Sequence, residues 1–405
     1  MAETGRILAG IKVLDVGTFV FGPAAATVMS DFGADVIKVE PPGFGDPYRY
    51  LAYVPPLPAC EHNYCWLLTG RNKKSVALDL KQDEARDILL RLVKDADVFV
   101  TNFPPAVLTR LRLTYDDLAP LNSKLVYAQA TGYGEAGAEA NKPGYDATAW
   151  WARSGLMEII RAPGADPGLP MPAMGDQAST MALLSGILMA LFHRERTGSG
   201  SKVSSSLMAN GAWVNAVFLQ SVLCGAAKHV RRTRKETPNA LLNFYRCRDD
   251  RWFFLAMVQE DKDWDRFARC LDRPELRADA RFADKAARRA NARVLIDILD
   301  EVFAEKDYAH WRDVLNASSI TFGEVARTED LPDDRQMADN DVFVELDHPK
   351  VGKLRTVNSP IWIEGHDKVK PTLAPEIGQH TNEVLASLGF GPDEIQTLRE
   401  SGAVA

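Results

Sequence analysis

The sequence predicts an α/β fold: a Rossmann-like parallel-sheet large domain followed by a smaller α+β domain. Three observations carry this. Short apolar strand patterns alternate with helical stretches through the first 205 residues, as in sheets covered on both faces. The loops after those strands, notably 41–64 and 131–145, are long and rich in Gly and Pro. Beyond residue 240 the pattern changes to a hairpin and amphipathic helices.

In order, Ile11–Val16 predicts a strand, followed by a turn over Gly17–Gly22 and a helix over Pro23–Phe32. Strands are expected at Asp35–Val39, Ser75–Asp79, Asp97–Thr101 and Leu125–Gln129, with an acid-opened amphipathic helix at Asp83–Lys94. Domain boundaries are read as 1–205 for the large domain and 206–239 for a linker, with a helix at Leu207–Cys224 and a solvated basic stretch at Lys228–Lys235. The small domain covers 240–325: Phe244–Arg248 and Trp252–Ala256 flank a hairpin turn, and helices follow at Lys262–Cys270, Arg289–Phe303 and Tyr308–Ala317. Residues 326–405 return to the large domain through a strand at Lys353–Val357 and a helix at Thr381–Leu388.

Bulk properties narrow the function. Hydrophobic content of 46%, charged content of 25% and net charge −7 describe an ordinary globular chain and argue against general nucleic-acid binding. No run reaches the ~18 uninterrupted apolar residues of a membrane span, and the start lacks signal-peptide character. The five cysteines are scattered without metal-ligand spacing, as expected for free thiols in the cytoplasm.

Several chemistries fail on their motifs. The turn Gly17-Thr18-Phe19-Val20-Phe21-Gly22 follows the first strand, and Glu40 ends the second. Phe19 and Phe21 nevertheless crowd the place where a dinucleotide pyrophosphate meets backbone. No G-x-S-x-G appears, and the histidines form no close ligand pair, so a serine hydrolase and a metal site are not expected. Arg71, Lys73, Lys74, Lys81, Asn102 and Arg110 near strand ends form a candidate phosphate-binding set, although any one alone reads as a surface charge. Met174–Gly200 reads as a helix with Asp176 at the N-cap, small residues along one face and a glycine stop. A structural cap and a functional carboxylate beside a ligand both fit Asp176.

A set of motifs in one order then carries a resemblance. These are Gly10–Asp15, Gly22-Pro23, Phe32–Glu40, Asn72–Ser75 with Leu78–Lys81, Asn102-Phe103, Gly144-Tyr145-Asp146, Gly175-Asp176, His193–Gly198 and Gly378–Thr381. The chain resembles the family III CoA-transferases (the CaiB/BaiF family), which include the formyl-CoA and carnitine CoA-transferases. The resemblance implies an interlocked, ring-like homodimer with no tightly bound cofactor, and coenzyme A or an acyl-CoA as substrate. It makes Asp176 the catalytic carboxylate, forming a mixed anhydride and then an aspartyl-CoA thioester. Coenzyme A is implied to run along Val20, Phe21, Leu78, Lys81, Asn102, Phe103, Pro104, Arg110, Gly144, Tyr145 and Asp146. For Phe21, Leu78 and Phe103 core packing is the alternative. Gly175, Trp150 and Arg153 are candidates for the acceptor pocket, with Arg153 either meeting a dicarboxylate's distal end or forming a surface ion pair. Family habit makes succinyl-CoA the first donor to consider.

Departures from the resemblance matter too. Val20 stands where formyl-CoA transferase carries glutamine, and 236–243 has no glycine loop, which weakens formyl-CoA or oxalate as substrate. The rival activity is an α-methylacyl-CoA racemase of the same fold. Its histidine position is Tyr145 here, and tyrosines as a class, titrating near ~10, are poor bases for an α-carbon. A non-catalytic CoA-binding protein is the third possibility, and it would not need Gly175-Asp176.

Overall fold

The computed structural model describes residues 5–168 and 170–405, which divide into two compact units. The larger comprises Met1–Ile160, Pro167–Ala227 and Asp339–Ala405; the smaller comprises Arg161–Asp166 and Lys228–Ala338.

The larger unit is built on six strands: β1 (Lys12–Asp15), β2 (Asp35–Glu40), β3 (Lys73–Ala77), β4 (Val98–Thr101), β5 (Val126–Thr131) and β6 (Ser201–Ser206). Every pairing is parallel, in the order β3-β2-β1-β4-β5-β6. The order in which successive strands are added therefore reverses between β1 and β4, and Leu14 of β1 pairs with Ile37 on one side and Phe99 on the other. The central strands β1, β4 and β5 bury apolar side chains on both faces because helices cover both. One face packs Val13, Val98 and Val126 against Met29 and Leu184. The other packs Leu14, Phe99 and Tyr127 against Leu89 and Ile395.

Four sequence expectations needed correction here. β3 begins at Lys73 rather than Ser75, because Lys73 is not a loop charge: its ammonium is buried against Asp15. A sixth strand, absent from those read in the sequence, is the Ser-rich β6, an edge strand that takes its register from β5. The segment 207–224 forms two helices, Leu207–Val214 and Ala216–Leu223, broken at Asn215, whose side-chain amide donates to Ser154 O. A further helix, Pro392–Glu400, follows Thr381–Ser387. The returning C-terminal residues pack on β3: His380 Nδ1 accepts from Ser75 N, and Leu78 bridges Val404. In the smaller unit β7 (Leu242–Arg246) and β8 (Trp252–Ala256) form the expected hairpin, with Asp250 in the left-handed region at its turn. Antiparallel β9 (Phe322–Val325) extends the sheet. The larger unit also holds the later hairpin of β10 (Phe343–His348) and β11 (Gly352–Val357).

Glu260–Cys270, Ala292–Ala304 and Tyr308–Ala317 supply the smaller unit with helices whose apolar faces meet around Phe253, Phe267 and Phe303. The expected helix 289–303 is interrupted at Asn291, with Lys285–Ala290 before the break. The basic stretch is not free in solvent throughout: Arg234 and Lys235 pair with Asp300 and Asp297.

Candidate active site

A cavity of about 440 Å³ lies beyond the carboxyl ends of β1, β4 and β5, at the point where the sheet order reverses. Asn102, after β4, bridges to the turn after β1: its side chain accepts from Thr18 N at 2.8 Å and donates to Thr18 O at 2.6 Å. The next residue, Phe19, sits at φ 60°, an unfavourable conformation for an aromatic residue. Its N–H is held at 3.0 Å by the Asp46 carboxylate, and its ring meets Tyr145 edge-on across 6.2 Å. The turn after β5 and the 143–147 segment approach so closely that a Cβ at Gly132 would stand 2.8 Å from Cα of Gly144.

Asp176 enters the cavity from the helix Met174–Thr197. It is not the N-cap. Ala173 occupies that position in the left-handed conformation, φ 64°, with no side-chain cap, so Asp176 falls in the first turn. The capping acceptor comes from elsewhere in the chain: both Asp146 oxygens accept from Gly175 N at 3.2 Å, with the Ala173 and Asp176 amides also directed at this carboxylate. Gly175 is required at this junction, since a Cβ would overlap Asp146 and the Trp150 ring. The helix stops at Gly198, φ 76°, as expected. It is long and apolar enough to cross a membrane by length and composition, but one side packs Leu183, Ile187 and Leu191 into the sheet core.

The two carboxyls are unusually basic. Burial pushes Asp176 up to about 7, helped by the neighbouring negative charge of Asp146. Burial likewise pushes Asp146 up to about 6, with the helix amides pulling it back. A carboxylate made more basic by burial and facing this cavity is suited to nucleophilic attack on an activated acyl carbon.

The CoA-transferase family III model matches residues 8–381. The chain belongs to CoA-transferase family III. This transferase is similar to the (R)-2-hydroxy-4-methylpentanoate CoA-transferase of Clostridioides difficile, at 31% identity over 98% of this chain and 99% of that one. It is also similar to the succinyl-CoA:glutarate CoA-transferase of Mus musculus, at 30% identity over 99% of this chain and 91% of the other. A crystal structure of a CaiB/BaiF family protein from Brucella suis superposes with TM-score 0.84 at 26% identity, covering 95% and 100% of the two chains.

Of the residues singled out in the transferase sequence, Val20, Phe21, Asn102, Pro104, Gly144, Tyr145, Asp146 and Asp176 come together on the cavity. The others do not line it. Leu78 is core, bridging Val404; Phe103 packs at the edge of the same core. Lys81 and Arg110 are exposed. Gly175 and Trp150 are buried behind Asp146. Arg153 forms a surface ion pair with Glu139 at 3.1 Å instead of entering the pocket. Three members of the phosphate set are paired with acids: Arg71 with Asp31, Lys73 with Asp15, and Lys74 with Asp35 and Glu383. Glu40, a candidate ribose ligand in a dinucleotide reading, is paired bidentately with Arg49. Among the described residues, no cluster of three or more His, Cys, Asp or Glu side chains forms a metal site. Leu51, Met171 and Leu207 also line the cavity and escaped sequence reasoning, because single apolar residues in loops and helix ends carry no motif.

Proposed function

We propose that this transferase moves CoA from an acyl-CoA to a free carboxylic acid through covalent intermediates on Asp176. The observation that carries the reading is the Asp176 carboxyl in the cavity, held basic beside Asp146. An Asp176 oxygen attacks the thioester carbonyl, the C–S bond breaks, and CoA leaves as its thiolate. The thiolate then attacks the Asp176 carbonyl carbon of the mixed anhydride. The first acid leaves as a carboxylate, and an aspartyl-CoA thioester remains. An acceptor carboxylate reverses both steps, and Asp176 is regenerated. Apolar walls such as Phe21 and Leu207 limit water attack on the anhydride. Asp146 orients the first turn of the nucleophile's helix, so it acts as a positioning residue.

Incubation with an acyl-CoA followed by hydroxylamine or borohydride is expected to modify Asp176, as read by peptide mass spectrometry. An unmodified Asp176, together with full transfer by Asp176→Ala, would refute the assignment. A homodimer is supported by an apolar face on 207–223, where Trp213 and Val217 are 80% and 81% exposed. The five free thiols support a cytoplasmic location.

A further inference from the structure

We infer that the acyl group accepted by this cavity is apolar, a branched aliphatic or aryl carboxylate, and that dicarboxylates are poor substrates. The inference rests on the transferase reading above. No lysine, arginine or histidine lines the cavity among the described residues; its charged groups are Asp146 and Asp176. A distal carboxylate would therefore bring a third negative charge beside two acids, in a space with no cation to receive it.

The neutral polar groups on the walls offer little compensation. Asn102 spends both ends of its amide on the Thr18 backbone, and Thr131 Oγ1 accepts from Gly134 N at 3.0 Å. Arg153, the basic residue that the sequence suggests for a distal carboxylate, is held by Glu139 away from the cavity. Apart from the Thr18 and Tyr145 hydroxyls, the side chains of the rest of the wall are apolar, and Phe19, Phe21, Leu51, Met171 and Leu207 line the same cavity as Asp176. An apolar acyl chain gains by leaving water here, whereas succinate or glutarate loses hydration without gaining a cationic partner. This reading displaces the succinyl-CoA donor that family habit suggests.

Identity exchange tests the inference whatever the natural donor and acceptor are. The wild-type enzyme is incubated with isovaleryl-CoA and labelled isovalerate, 3-phenylpropanoyl-CoA and its labelled acid, or succinyl-CoA and glutaryl-CoA with theirs. Label entering the thioester gives the rate, and hydroxylamine trapping in the same samples reads Asp176. The CoA moiety is common to all arms, so its contribution cancels. Apolar pairs are expected to exchange at least ~30-fold faster in kcat/KM, with Asp176 modified. Equal or faster dicarboxylate exchange with Asp176 modified overturns the substrate class and leaves the transferase reading standing. Absence of both exchange and modification in every arm overturns both. Leu51→Arg supplies a cation to the wall and is expected to raise the dicarboxylate-to-apolar ratio by ~10-fold. An unchanged ratio would likewise count against the inference.

Discussion

At the end of β1, Asp15 lies between two lysines: Lys73 at 2.8 Å from one oxygen and Lys38 at 3.5 Å from the other. In the cavity, the charged neighbour that acts on Asp176 among the described residues is another acid, Asp146. Asp15 is fully buried and Asp176 half-buried, both at the same end of the same sheet, yet their ionisation runs in opposite directions. Burial would raise Asp15, but the Lys38 and Lys73 ammoniums outweigh it and hold the carboxyl below its usual range. Asp46, which also pairs with Lys38 at 2.8 Å, holds Phe19 N, and Glu40 is likewise kept low against burial by Arg49. Neutralised acids make a scaffold that holds the cavity wall, whereas an acid left without a cation keeps its reactivity. The company of a buried charge therefore separates architecture from chemistry more sharply than its burial does.

The contrast breaks first if Asp176 is dispensable. Asp176→Ala is expected to lower CoA transfer by ~10⁴-fold or more, with the far-ultraviolet dichroism unchanged. The scaffold side is tested by Lys73→Met, which leaves Asp15 with Lys38 alone at 3.5 Å and should cost about 3 kcal/mol in urea unfolding. A loss below about 1 kcal/mol would mean the buried cluster is not structural. On the proposed mechanism Asp176 attacks as its carboxylate, so transfer should rise as pH passes upward through about 7. Asp146→Asn keeps an amide-accepting oxygen but removes the neighbouring charge, so that midpoint should move to lower pH while transfer falls ~10-fold. The smallest effect is on stability. Asp176 titrates above its ordinary value, so its ionisation costs stability as pH rises from about 4 through about 7. Asp176→Asn should therefore stabilise the fold by about 1–2 kcal/mol at pH 8 and less at pH 5, as measured by denaturant midpoints.

The parallel sheet was readable because Ile11–Val16, Asp97–Thr101 and Leu125–Gln129 carry their burial in their own composition. β6 was not, since Ser204, Ser205 and Ser206 gain strand geometry only from pairing with β5. The cavity carboxylate was legible through an ordered set of motifs, but its helix start was misplaced. Local capping rules see Asp176 next to its own helix and cannot see Asp146, which is 29 residues away in sequence from the amide it receives. The same distance defeats charge reading. Arg71 and Lys73 read as phosphate ligands until the fold brings in Asp31 and Asp15, 40 and 58 residues away.

The Ala173 junction has a practical consequence. Asp176 and its supporting acid stand on a helix and on the turn locked by Gly132 and Gly144, while Pro170, Met171 and Pro172 approach from a loop ending at a left-handed residue. On the proposed mechanism, substrate choice and bond-making reside in parts of the chain that can be altered separately. Redesign for a new acid should begin at Met171 and Leu51, where changes in shape leave the nucleophile's seating intact.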